Sequence, residues 1–315
     1  MPYLRPTIRF LLQQKLLLIA TALALALGII LGLDLLKSQS AAIDEIAQIK
    51  QTSDLNERTI LYHHLLDRVG PTQAQDSLKN SALPANGQTH LLNHTTGLYL
   101  YQKYGAAGLK LCRDYFLESC YHGFLIQAIS DHGLDYLSQV MSSCQRSSGQ
   151  VIAQCSHAFG HSFLALAGYA KLPDALTTCD QESQKIKTLI PFNCYDGAFM
   201  ENVYGVHDGH PSPDRWLKSD DTSYPCDSPQ IDPKYLTACW SNQPALIYQN
   251  FSSDLRKISS LCDKQDKDYQ SACFSGLNRQ INALAKSASD APKLCLNEPS
   301  YRQQQCRQDN SSSFK

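Results

Sequence analysis

The chain has 315 residues, 12 cysteines and a formal net charge of −1 at pH 7, with 28 Lys and Arg set against 29 Asp and Glu. Balanced charge without a basic patch excludes nucleic acid as a partner, and neither a glycine-rich phosphate loop nor a G-x-S-x-G nucleophile elbow occurs. A chain of this length can bury a substantial core unaided, so the cysteines are there to staple a shape and not to compensate for smallness.

In chain order, the first feature is Leu16–Leu33, apolar throughout apart from Thr21 and two glycines. Eighteen helical residues rising about 1.5 Å each span roughly 27 Å, close to the hydrocarbon thickness of a bilayer. Arg5, Arg9 and Lys15 precede the run with no acidic residue, which predicts a cytoplasmic 1–15 and a single-pass transmembrane anchor over 16–36. Everything beyond Lys37 then lies outside the cell membrane, periplasmic or extracellular. A cleaved signal peptide is the alternative, with small residues at Ser38–Ala42 as its cleavage type. The length of the apolar run and the intervening Asp34 and Lys37 favour the uncleaved anchor. Either way the remainder is exported to a space that permits disulfides.

Residues 37–88 read as a helical stalk and linker, with Ile43, Ile46, Ile49 and Leu55 at loosely helical spacing. Pro84 and the Asn86-Gly87 pair mark a turn before a helix that begins near Thr89. The Tyr62–His64 stretch within this region reads as surface.

Residues 89–310 form a Cys-paired helical-repeat domain. The cysteines fall into successive couples, Cys112/Cys120, Cys144/Cys155, Cys179/Cys194, Cys226/Cys239, Cys262/Cys273 and Cys295/Cys306, whose second members recur every 33 to 45 residues. Each second cysteine opens an amphipathic run and is expected to start a helix, as in CYHGFLIQAI from Cys120 and CSHAFGHSFL from Cys155. Each first cysteine is expected to end one, as in GAAGLKLC, LSQVMSSC and LPDALTTC. The expected fold is therefore all-α: an α-solenoid or α/α array of disulfide-stapled helical hairpins behind one N-terminal transmembrane helix. Nested or inter-unit pairing stays open, because spacing alone does not prove connectivity. Zinc ribbons are a poor reading, since no two cysteines stand closer than eight positions.

Chemistry concentrates in the first half of this domain. His90 and His94 stand at i and i+4, as do His157 and His161, so each couple presents two imidazoles on one helix face. His122, His157 and Asp196 share one repeat position, two after the cysteine, and form a polar ladder; Glu201 follows on the Asp196 helix, and later units place Ser241 and Ser275 on the ladder. Imidazoles and carboxylates are ligands of Zn, Fe, Mn or Cu, so His90, His94, His122, His157 and His161 with Asp196 or Glu201 are candidate metal ligands. The alternative is that these groups only cap turns or tie neighbouring units by hydrogen bonds. No H-E-x-x-H is present. His207, Asp208 and His210, in a Gly/Pro-rich loop, read as a solvated insertion and not as a lid over the ladder.

The YHG at Tyr121–Gly123, the C-x-H-x-x-G-H at Cys155–His161, the C-x-x-G-x-F-M-E-N at Cys194–Asn202 and the H-x3-H helix at His90 together resemble a family of uncharacterised bacterial exported or membrane-anchored Cys/His repeat proteins. The resemblance covers roughly residues 89–202 and departs from the family pattern at Thr89 and Ala158, where cysteine and glycine are expected. It implies location and repeat architecture and lends no activity. The helix pairs also look like Sel1 and tetratricopeptide repeats, an analogy of shape alone. Two functions follow from the sequence. One is a scaffold whose concave face binds a peptide, a cell-envelope polymer or a membrane-protein partner, with a His/Asp/Glu pocket; the other is a metal-dependent enzyme or metal-handling protein built on the histidines.

Overall fold

A computed structural model describes residues 19–21, 23–29, 43–81, 83, 87–145, 149–207, 210–285 and 289–311. These are helical apart from connecting segments and a two-residue antiparallel pairing of Val206–His207 with His210–Pro211. The side chains of the His207, Asp208 and His210 loop lie outside the description. So do residues 1–15 and most of the expected anchor. Within that anchor, 19–21 and 23–29 are helical with Ile19, Leu23, Leu25, Leu27 and Ile29 exposed. No helix among the described residues is long and apolar enough to cross a membrane.

The stretch expected as stalk and linker contains three helices, α1 (43–51), α2 (Leu55–Val69) and α3 (Pro71–Lys79). Asp54 caps α2 by accepting from the Glu57 amide at 2.8 Å, and Pro71 opens α3, where its missing N–H costs nothing. Their apolar faces meet α4 (Gly87–Tyr104): Ile49, Tyr62, Leu65, Leu66 and Leu78 are buried in one cluster with Leu92 and Tyr99. Tyr62 belongs to that core and not to the surface, its hydroxyl 2.9 Å from Thr96 Oγ1.

Beyond α4 the chain runs through α5 (Tyr115–His132), α6 (Leu137–Gln145), α7 (Gly149–Ala167), α8 (Leu172–Lys185) and α9 (Pro191–Tyr204). It continues through α10 (Leu236–Asn250), α11 (Leu255–Asp263), α12 (Lys267–Leu284), α13 (Ala291–Leu294) and α14 (Ser300–Ser311). Helices α4, α5, α7, α9, α10, α12 and α14 pack each on the next, while the shorter α6, α8, α11 and α13 lie alongside them. One buried cluster runs from Leu100 to Cys306 through the whole stack.

All twelve cysteines are paired in the six sequential couples: Cys112–Cys120, Cys144–Cys155, Cys179–Cys194, Cys226–Cys239, Cys262–Cys273 and Cys295–Cys306. Their Cα–Cα separations, from 5.3 to 6.4 Å, are within the range of ordinary disulfides.

The placement of the cysteines on their helices differs from the expected hairpin, and the first unit shows it most clearly. Cys120 does not start a helix: it lies inside α5, which begins at Tyr115, so the expectation that the second cysteine marks a helix start is corrected at Cys120. Neither Pro nor Gly stands between Cys112 and Cys120 to hold the helix off until the cysteine. The same correction applies to Cys155, inside α7, and to Cys273, inside α12. Cys112, expected to end an α-helix, instead follows a 3-10 helix, Gly105–Leu111. Cys226 sits in irregular chain, where Pro211, Pro213, Pro225, Pro229 and Pro233 deny a helix its amide donors.

Three crossings are closer than any side chain permits: α4 with α5, α7 with α9, and α10 with α12, where a Cβ on Gly276 would lie 2.0 Å from the Ser241 carbonyl oxygen; the first two lie at the histidines. A Cβ on Gly123 would lie 2.0 Å from the His94 carbonyl oxygen, and one on Gly197 would lie 1.8 Å from that of His157. Both glycines stand three residues after a second cysteine, Cys120 and Cys194, so the repeat itself brings α5 onto α4 and α9 onto α7 at the histidines.

Candidate metal centre

Four helices meet at the histidines. His90 and His94 project from α4, His122 from α5, and His157 and His161 from α7; α9 brings Asp196 and Glu201. Among the described residues two groups are spaced to hold an ion, His90/His94/His122 and His122/His157/His161, the ligand atoms within each group lying within 4.8 Å of one another. His122 belongs to both and is fully buried. His94 Nε2 lies 3.0 Å from His90 Nε2, His122 Nδ1 lies 3.2 Å from His90 Nε2, and His161 Nε2 lies 3.1 Å from His157 Nε2. Two nitrogens about 3 Å apart suit one ion bound at about 2.0–2.1 Å from each.

The outward nitrogens are committed elsewhere. His90 Nδ1 donates to the Phe116 carbonyl at 2.8 Å, His157 Nδ1 to Asp196 Oδ2 at 3.2 Å and His161 Nδ1 to Glu201 Oε2 at 2.7 Å. A neutral imidazole carries one N–H, so each of these bonds leaves Nε2 as a lone pair facing the centre. With Glu201 ionised, two lone pairs then confront each other at His157 and His161, an arrangement that a shared proton or a cation relieves. Donation of the second N–H to a carbonyl or carboxylate is also how metal-bound histidines are generally oriented.

The carboxylates therefore stand one hydrogen bond outside the histidine nitrogens that could hold an ion. Asp196 further accepts from Ser241 Oγ at 2.7 Å and Asn242 Nδ2 at 2.8 Å, with Arg279 3.5 Å away. Glu201 Oε1 accepts from the Tyr169 hydroxyl at 2.5 Å. The ladder is continuous as the register implied: the His122 and His157 rings are 5.1 Å apart, His157 bonds Asp196, and Asp196 bonds Ser241. It ends there, since Ser275 is exposed.

Burial dominates the electrostatics. It holds the His94, His122 and His161 imidazoles well below their ordinary range, helped by neighbouring histidine charge, and lowers His90 to about 3 by the same two causes. Burial also pushes Glu201 up to about 7 against the opposing Tyr169 bond. On Asp196 burial acts upward too, but Arg279, His157 and Ser241 outweigh it and hold the carboxylate well below its usual range. The pocket is thus a set of uncharged nitrogen donors backed by an anchored anion, an environment suited to a positive charge at its centre.

A cleft of about 230 Å³ opens onto His157 and Asp196, with Glu118, Gln154, Met200 and Arg279 on its walls. A larger groove of about 530 Å³ between α1 and α3 lies away from the histidines and offers a single carboxylate, Asp76. The head of α5, which gives Glu118 to the cleft wall, is strained: Phe116 and Glu118 have φ of 53° and 63°. Left-handed backbone at non-glycine residues costs of order 1–3 kcal/mol each, and here the turn aims the Phe116 carbonyl at His90.

Sequence reasoning missed Tyr169, Asn242, Arg279 and the Phe116 carbonyl. Arg279 had a readable signal, because it lies six residues after Cys273 as His161 lies six after Cys155. Tyr169, in a 3-10 turn after α7, had none. No protein-family model, curated protein or solved structure matches the chain.

Proposed function

We propose that this is an exported, membrane-tethered, disulfide-stapled protein that binds a transition metal through its buried histidines and works on ligands reaching the metal through the adjoining cleft. One observation carries the metal reading: the Nε2 lone pairs of His157 and His161 face each other at 3.1 Å while Asp196 and Glu201 hold both Nδ1 atoms. Three histidines with a further position open are the ligand set that catalytic zinc uses, and Fe, Mn and Cu accept the same donors. The apolar Leu16–Leu33 run, the basic residues before it and the all-paired cysteines support export and tethering.

The test is elemental analysis of the full-length chain before and after changing His157 and His161 to Ala. The wild type carries a stoichiometric metal that the double variant loses. A folded wild type that holds no metal and takes none up supports instead a non-catalytic scaffold, whose stacked helices would serve as a binding surface.

A further inference from the structure

We infer that the cluster holds two metal ions, one in each histidine triad, with the His122 imidazole bridging them; this rests on the metal-binding reading above. A histidine that serves one ion hands its second N–H to an oxygen acceptor, as His90, His157 and His161 do. Among the described residues His122 has no such acceptor. Its Nδ1 is directed at His90 Nε2, 3.2 Å away, and its Nε2 is fully buried with no hydrogen-bond partner among them. The ring lies between the two couples, its centroid 5.0 Å and 5.5 Å from His90 and His94 and 5.1 Å and 4.1 Å from His157 and His161. One ion would account for one of its nitrogens and leave the other stranded, at the cost that any unpaired buried polar atom carries. Two ions account for both.

The protons are accounted for, and most of the added charge is offset. Neutral His122 carries one N–H; on bridging, that proton passes to solvent, and the imidazolate directs one lone pair to each ion. Two divalent ions bring four positive charges, of which the imidazolate and the carboxylates of Asp196 and Glu201 offset three. All-imidazole first shells suit late first-row divalent ions such as Zn(II) and Cu(II).

The experiment takes full-length chain in detergent, stripped with a chelator and titrated with Zn²⁺ alone, then with Cu²⁺ alone. The wild type should bind two ions per chain, and His94→Asn and His157→Asn one each. Electron paramagnetic resonance of the copper-loaded wild type should integrate to well under the bound copper, because a bridged pair couples; the signal should return to full intensity in either variant. A wild type that saturates at one ion overturns the second site while sparing the metal reading, and a wild type that binds none overturns both. Two ions with full, uncoupled copper intensity overturn the bridge. Intact disulfides and an unchanged helical spectrum confirm that each variant is folded; the half-buried His94 is the milder change should His157→Asn fail.

Discussion

A histidine is a well-directed ligand only when its other nitrogen has a place to put its proton, so the acceptors around this cluster set what each substitution costs. Asp196→Asn offers His157 an amide in place of a carboxylate, and metal affinity should fall about 10- to 100-fold in competition with a chromophoric chelator. Tyr169→Phe removes the bond to Glu201 Oε1, one step further from the imidazole, and should cost less in the same assay. The five histidines were legible because i, i+4 spacing and a shared repeat position are properties of the sequence. The roles of Asp196 and Glu201 were not, since spacing names a residue type and a helix face but not which atom it meets. The Phe116 carbonyl was illegible for a simpler reason: every residue has a carbonyl, and only the left-handed turn at the head of α5 makes this one an acceptor for His90.

Among the helices, packing distance is set by glycines at the crossings: Gly97 and Gly123 between α4 and α5, Gly160 and Gly197 between α7 and α9, and Gly276 between α10 and α12. Gly197→Ala should destabilise by about 3 kcal/mol or more in denaturant titration, because the new Cβ would meet the His157 carbonyl, a backbone atom that cannot step aside. Replacing Cys144 and Cys155 together by Ala should cost about 2–3 kcal/mol in the chain-entropy account, and metal affinity should weaken with it because Cys155 lies two residues before His157 on α7. Glu298 gives a pH dependence of known sign. Burial, opposed by Arg302, raises its carboxyl to about 7 from an ordinary 4.5, so the folded chain holds a proton that the unfolded chain releases. The stability this contributes is complete below about pH 4.5 and is lost as pH rises through about 7. Glu298→Gln should accordingly raise the melting temperature at pH 8 and change it little at pH 4.5. The cysteine couples and amphipathic runs made the stack of α5, α7, α9, α10, α12 and α14 readable. Helix starts were not, because an apolar run that begins at Cys120 marks where α5 meets its neighbours and not where its backbone hydrogen bonding begins. The fourth unit departed from a hairpin because five prolines fall before Cys239.

At the scale of the molecule, stapling and burial serve the same end. The histidines lie on three helices of two consecutive repeats and the helix before them, so the centre exists only while the stack keeps its register. Six short cystine loops and a core continuous from Leu100 to Cys306 resist the sliding that would separate the two triads. Reduction of the disulfides should therefore release bound metal at denaturant concentrations that leave the oxidised protein loaded. The proposed tether is tested at this scale as well: if it exists, the full chain should pellet with membranes and resist alkaline carbonate, and a chain lacking residues 1–36 should not.

X-ray absorption at the metal edge of the protein as purified decides whether the histidines hold an ion. An ion held by these histidines gives nearest-neighbour nitrogen at about 2.0–2.1 Å with the longer-range scattering of imidazole rings. A nearest-neighbour shell containing sulfur or built from oxygen alone, or a folded protein with no metal edge, would contradict the metal reading.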